Sequence, residues 1–238
     1  MNVADPVQRL VIAIDGPAGA GKSTIASRLA RKLGYINLES GAMYRALALK
    51  AIEGDIGFED EDALVRLAEK SRIQLEPTLG GNRVLLDGMD VSHRIREQDV
   101  TDAASKVSVH ARVRQWMVEH QRALGAQSPV GVIMEGRDIG TKVFPDADLK
   151  IFLDADAAVR GERRYRQQPQ SDDTRPESVL AELRERDRRD RERTASPLAP
   201  AADAVVIDST GLGIDEVLAQ IEARIVALSA KKRTSPAS

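Results

Sequence analysis

The stretch from Leu10 to Leu33 constrains the fold more than any other part of the chain. An apolar run, Leu10-Val11-Ile12-Ala13-Ile14, leads through Asp15 into Gly16-Pro17-Ala18-Gly19-Ala20-Gly21-Lys22-Ser23, and a helix-patterned segment follows from Thr24. Four residues separate Gly16 from Gly21-Lys22-Ser23. Such a loop curls its backbone N–H groups around a polyphosphate, because glycines carry no Cβ to block the approach. Lys22 is placed to reach the outer phosphates, and Ser23 to ligate magnesium. A helix starting at the loop aims its positive dipole end and its unpaired N–H groups at the same anion.

Further apolar strands alternate with helical patterns along the rest of the chain. They predict an α/β fold in which a parallel sheet is covered by helices on both faces, with ligands at the carboxyl ends of the strands. Strands are expected at Tyr35–Leu38, Val130–Met134, Leu149–Leu153 and Ala204–Ile207. Helices are expected from Ser40, which would be the N-cap, over about 60–70 and 99–124, after Asp154, from Pro176 to about Arg193, and from Ile214 to Ser229. One region interrupts the rhythm. Alternating runs around Ile73–Glu76 and Arg83–Leu86, separated by Gly80-Gly81-Asn82, suit a β-hairpin. Residues 62–95 are therefore expected to form a small inserted subdomain, with 1–61 and 96–230 as the core and 231–238 as a disordered tail.

The 238 residues are 42% apolar, enough for a buried sheet, and 30% charged, with a net charge of −2. That balance argues against a nucleic-acid polymer as partner. The absence of cysteine excludes disulfides and thiolate metal sites. With a polar start and no apolar run long enough to span a bilayer, the expectation is a cytoplasmic protein, away from membranes and monomeric.

A phosphate loop alone does not name the second substrate. Eleven of the 26 arginines fall between Arg160 and Arg193, with nine carboxylates among them. Most suit a solvated, salt-bridged helix pair. On the helix after Pro176, however, the inward stripe of Val179 and Leu183 continues to Arg186, Asp190 and Arg193. Guanidinium groups on a core-facing side need partners, which points to a polar cleft that takes anions. Arg160 and Arg164, four apart on the preceding helix, form a candidate movable second rank. Arg137 and Asp138 should emerge from a strand end beside the phosphate loop, and Ser40, Tyr44 and Arg45 open a helix at another. Ser105 and Arg114, nine apart, serve one site only if the helix breaks between them. Ser108-Val109-His110 is a weak helix former, and Ser108 could cap a new helix. His93, His110 and His120 lack ligand spacing, so no structural metal is expected.

In these residues the chain resembles the bacterial cytidylate kinases, a family of phosphate-loop nucleoside monophosphate kinases. The likeness runs from Val11 to about Leu228. Besides the phosphate loop, its carriers are Glu39-Ser40-Gly41-Ala42-Met43-Tyr44-Arg45, Ala103-Ala104-Ser105, Arg112-Val113-Arg114, the block from Gly136-Arg137-Asp138 through Phe144-Pro145-Asp146-Ala147, and Arg186-Asp187-Arg188-Arg189-Asp190-Arg191. The resemblance implies ATP-dependent phosphorylation of CMP or dCMP with magnesium, in pyrimidine metabolism. It implies ATP binding by Gly16, Pro17, Ala18, Gly19, Ala20, Gly21, Lys22, Ser23 and Thr24. Ser105, Arg114 and Asp138 would read the cytosine edge, and Arg186 and Asp190 would contact the sugar. Arg45, Arg137 and Arg193 would bind the acceptor phosphate, with Ser40 and Tyr44 lining that pocket. Arg160 and Arg164 would belong to a helical lid, around 156–175, over ATP. Lys22, Arg137, Arg186, Arg160 and Arg164 are thus the candidate catalytic residues, and the insertion the nucleotide-binding subdomain. Glu39 and Glu135 stand where aspartate is commoner, and neither is assigned a direct contact. The rival readings are a kinase for another acceptor such as AMP or UMP, a GTPase, which lacks its Asn-Lys-x-Asp motif here, and an RNA-binding module.

Overall fold

The computed structural model describes residues 9–78, 81–167 and 175–234. From the amino end come β1 (Val11–Asp15), α1 (Lys22–Leu33), β2 (Ile36–Glu39), α2 (Ser40–Glu53) and α3 (Glu61–Glu69). A hairpin follows, β3 (Ile73–Thr78) and β4 (Gly81–Leu86), with a short third strand, β5 (Met89–Asp90), which the sequence pattern did not reveal. A 3₁₀ turn (Arg94–Arg96) leads to α4 (Gln98–Val107), α5 (Ala111–Ala126) and β6 (Val132–Gly136). A π-helical turn (Ile139–Val143), β7 (Leu149–Asp154), α6 (Ala157–Gln167), α7 (Pro176–Glu192), β8 (Val205–Asp208) and α8 (Ile214–Thr234) complete the chain.

The main sheet runs β2-β6-β1-β7-β8 with every pairing parallel. Alternation along β1 explains its central place. Leu10, Ile12 and Ile14 face α1 and α8 in one apolar cluster, while Ala13 faces α2 and α5 in another. Register brings Asp15 opposite Gly136 and Phe152, and Glu39 opposite Glu135. The carboxyl ends of these four strands thus form one rim.

Helix α2 buries nine of its fourteen residues, Met43 and Leu47 among them, because sheet, α4 and α5 enclose it. Burying a side chain of that size contributes about 1.5–3 kcal/mol. The hairpin has no core of its own: Leu75, Val84 and Leu86 join the cluster built on α2 and α4.

Several local expectations need correction. Ser40 is the first residue of α2, and Glu39 holds the cap position without a capping bond from its side chain. The Ser40 hydroxyl instead donates to the Glu135 carbonyl at 2.6 Å, tying α2 to β6. The helix over 99–124 does break at Ser108–His110, but Ser108 ends α4 and His110, not Ser108, stands before α5. The strand expected to end at Met134 runs on through Glu135 and Gly136, because β6 pairs with β1 as far as Asp15. Gly81 and Asn82 likewise belong to β4, not to the turn. Helix α8 continues to Thr234, four residues into the expected tail, since Ala230-Lys231-Lys232-Arg233 are good helix formers. Residues 235–238, and 168–174 of the expected lid, lie outside the described residues.

Candidate functional site

At the rim formed by the strand ends lies a cavity of ≈ 710 Å³. Its floor is the loop between β1 and α1. Gly16 has φ +147°, and a Cβ there would stand 1.9 Å from the Leu153 carbonyl oxygen, so only glycine lets the loop leave β1 against β7. Gly19, at φ +75°, approaches the backbone of Arg160 in the same way, with a Cβ contact of 2.8 Å. Gly16 and Pro17 form the base of the loop, and Ala18 through Thr24 line the cavity. Lys22 is buried, and its Nζ donates to the Pro17 carbonyl at 2.7 Å. Burial first, and then the Arg137 charge, push the Lys22 amine down to about 7.

Two carboxylates, opposite one another on β2 and β6, flank the loop. Glu135 accepts from the Ser23 hydroxyl at 2.9 Å, while its Oε1 is buried without a hydrogen-bond partner among the described residues. Burial and the neighbouring Glu39 push Glu135 up to about 7. Burial would raise Glu39 too, but Arg45, bonded at 2.6 Å, holds it below the usual carboxylate range. Asp15, at the end of β1, is also buried and accepts from the N–H groups of Ile139 (2.8 Å) and Gly140 (2.7 Å). Burial pushes it up to about 6 against those two bonds. One carboxylate thus joins the root of the phosphate loop to the segment just after Asp138.

The far wall of the cavity is made of paired charges. Arg114 donates to Asp138 at 2.5 Å, with side-chain exposures of 4% and 7%. The helix break makes this pairing reachable, because the carbonyl of Ser108, left free at the end of α4, accepts from Arg114 Nη1 at 3.0 Å. Ser105 Oγ and Arg114 Nε are buried with no hydrogen-bond partner among the described residues. Buried polar atoms are normally satisfied, so orphans beside a cavity mark places where a ligand would supply the partner. Tyr44 lies under the Arg114 guanidinium, its ring centroid 5.5 Å away, and burial pushes its hydroxyl up to about 12.

On α7, Asp190 accepts from Arg137 Nε at 2.8 Å and from Arg193 Nη1 at 3.3 Å. Burial first, and then the Arg137 charge, push Arg186 down to about 10, although the guanidinium keeps its proton at neutral pH. Ser40, Tyr44, Arg45, Ser105, Arg114, Arg137, Asp138, Arg164, Arg186, Asp190 and Arg193 all line the same cavity as the loop.

Arg160 does not line it. Its side chain is buried under the loop, where it donates to the carbonyls of Ala155 (2.8 Å) and Ala18 (3.0 Å) and pairs with Asp187 at 2.6 Å. Four-residue spacing puts Arg160 and Arg164 on one side of α6, but the packing of α7 against α6 delivers Asp187 to the first and leaves the second at the cavity. Sequence reasoning gave Asp187 no part, although it continues the stripe of Val179 and Leu183. It also passed over Arg163, which bonds the carbonyl of Ser209 at 2.7 Å, and the apolar Leu212, Ile214 and Val217, which close the end of the cavity beyond the loop. No local pattern marks these last residues; the β7–β8 pairing and the packing of α8 on α1 bring them to the loop.

Comparisons with known proteins bear on this cavity. A family model for cytidylate kinase matches residues 12–227. A cytidylate kinase of Aeromonas salmonicida is 49% identical over 217 residues, covering 91% of this chain and 94% of that one. One from Klebsiella pneumoniae is 50% identical over 209 residues, covering 87% and 91%, and one from Vibrio cholerae 47% identical over 221 residues, covering 91% and 97%. Among solved structures, an uncharacterized protein from Eubacterium ventriosum superposes with a TM-score of 0.50 at 13% identity, covering 91% of this chain and 98% of that one, a likeness of fold. A phosphate loop, a wall of paired guanidiniums and near-half identity along almost the whole length agree: the chain belongs to the cytidylate kinase family.

Proposed function

We propose that this enzyme reversibly transfers the γ-phosphoryl group of ATP to the 5′-phosphate of CMP or dCMP, giving CDP or dCDP, without a covalent enzyme intermediate. One observation carries the reading: the glycine loop and the group of Ser105, Arg114 and Asp138 line a single cavity. Cytosine presents an amino donor beside ring acceptors. Asp138 accepts from the amino group while Arg114 and Ser105 donate, a pattern that uracil does not match. Groups left unpaired by the wrong base give strong discrimination.

The remaining residues divide the work. Loop N–H groups and Lys22 hold the donor phosphates. Arg45, Arg137 and Arg193 hold the acceptor phosphate, Ser40 and Tyr44 shape its pocket, and Arg186 with Asp190 contacts the sugar. Lys22, Arg137 and Arg186 also spread the charge of the phosphoryl group in transit, a reaction that depends on positioning and electrostatics. Leu212, Ile214 and Val217 offer the adenine an apolar seat, with Arg163 beside it. Closure of the carboxyl end of α6, carrying Arg164, over both substrates excludes water.

Among the described residues no cluster of three or more His, Cys, Asp or Glu side chains could hold a metal alone. Ser23 Oγ and the unpartnered oxygen of Glu135 are hard donors that fit magnesium arriving with ATP. When bound, the ion would neutralise charge on the β- and γ-phosphates. No described helix is long and apolar enough to cross a membrane. We place the enzyme in the cytoplasm as a monomer in pyrimidine nucleotide metabolism.

An acceptor panel tests the proposal. With Mg-ATP, CMP and dCMP are expected to exceed UMP and AMP by roughly 100-fold or more in kcat/KM. Failure to form CDP, or a better turnover of another acceptor, would overturn it.

A further inference from the structure

Strand β2 is an edge of the main sheet. Its Ile36 N–H bonds the Gly131 carbonyl on the β6 side, so the groups of Asn37 and Glu39 point the other way, to the unpaired edge. A parallel neighbour would cover that edge by donating to the Asn37 carbonyl and accepting from the Glu39 N–H. The side chain of Asn82 does both: Nδ2 donates to Asn37 O at 2.7 Å, and Oδ1 accepts from Glu39 N at 2.8 Å. Asn82 is buried and stands on the inward row of β4 with Val84 and Leu86, the one polar residue in that row. Apolar packing of Val84 and Leu86 against α2 holds the hairpin without specifying one place, whereas a two-point amide bond does.

The place it specifies is functional. Glu39, held by its N–H, sends its carboxylate to Arg45 at 2.6 Å and to Arg96 at 3.6 Å, and the next residue, Ser40, lines the cavity. We infer that Asn82 is a positioning residue: acting as one residue of a missing strand on β2, it latches the inserted hairpin to the core and sets Glu39 and Arg45 for the acceptor. The inference rests on the acceptor reading above for its kinetic part only. Only an amide supplies donor and acceptor together at this length. Aspartate would set an oxygen against the Asn37 carbonyl, and leucine would leave both backbone groups unsatisfied.

The test uses the full chain and the variants Asn82→Asp, Asn82→Leu and Asn82→Gln. Hydrogen exchange without nucleotide is expected to quicken at the Glu39 amide and along 73–90 by tenfold or more in the first two, while β1 and β6 stay protected. KM for the acceptor is expected to rise by roughly 10-fold to 100-fold and KM for ATP to stay within about twofold. Asn82→Gln, which keeps both groups, should recover part of each effect and serves where the others do not fold. Unchanged Glu39 exchange would remove the latch. Faster exchange with an unchanged acceptor KM, or with both KM values rising together, would remove the positioning role. If CMP proves not to be the acceptor, the exchange result still decides the latch, and the acceptor found by the panel decides the rest.

Discussion

In the proposed function the two ends of the cavity recognise anions by different means. At the donor end the work falls to main chain: a glycine loop, a helix start and one lysine whose Nζ rests on the Pro17 carbonyl. At the acceptor end nearly every contact is a side chain already paired with another. Arg114 holds Asp138, Arg137 and Arg193 share Asp190, and Arg45 holds Glu39. A lone buried guanidinium is costly, so the carboxylates keep these arginines in place and charged for an incoming phosphate. Backbone N–H groups read a phosphate and nothing more. Paired side chains also present edges that read a base.

Breaking the donor end should produce the largest effect. Lys22→Ala is expected to lower kcat by about 1,000-fold or more with every acceptor alike, measured by steady-state turnover with unchanged circular dichroism. The acceptor end should fail selectively instead. Asp138→Asn is expected to lower kcat/KM for CMP by about 100-fold, leave KM for ATP near its parent value and narrow the margin over UMP.

The difference between Arg160 and Arg164 sharpens the comparison. Arg160→Ala removes the partner of the buried Asp187 and should destabilise the fold by about 3–5 kcal/mol in denaturant unfolding. A double-mutant cycle with Asp187→Ala should show strong coupling. A large loss of kcat with stability intact would return Arg160 to the catalytic set.

The smallest expected effect is a pH dependence centred on Asp15. Its carboxyl is ordinarily near 3.8 and rises to about 6 on folding, so the folded chain holds the proton more tightly. The stability this contributes is whole below about pH 3.8 and is lost as pH rises through about 6. Asp15→Asn carries no such dependence. Its deficit against the parent, read from denaturant titrations, should shrink between about pH 4 and pH 7, and a constant deficit would deny the shift.

The glycine loop was legible in the sequence because its geometry is local. The alternation of Leu10, Ile12 and Ile14, the glycine spacing and the helix start all lie within one window. The break between Ser105 and Arg114 was legible for a similar reason, since nine residues of straight helix cannot put both on one face. The acceptor wall showed only in part: the inward stripe pointed to Arg186, Asp190 and Arg193, but not to the pairing of Asp190 with Arg137 from the end of β6. Arg160 was misplaced because spacing along α6 says nothing of what α7 delivers to it. Asn82 was read as turn chemistry beside two glycines, whereas its burial and its bonds to β2 depend on tertiary packing. Ser40 met the preference for an N-cap, and a carbonyl from β6 claimed its hydroxyl instead.

The central claim is that one cavity holds a donor triphosphate on the glycine loop and a cytosine-bearing phosphate on the paired arginines. A crystal structure with a bisubstrate inhibitor, cytidine joined to adenosine through a polyphosphate chain, measures this most directly. The phosphates are expected between Lys22 and Arg137, with the cytosine amino group within hydrogen-bond distance of Asp138. Cytosine bound away from Asp138, Arg114 and Ser105 would contradict the account.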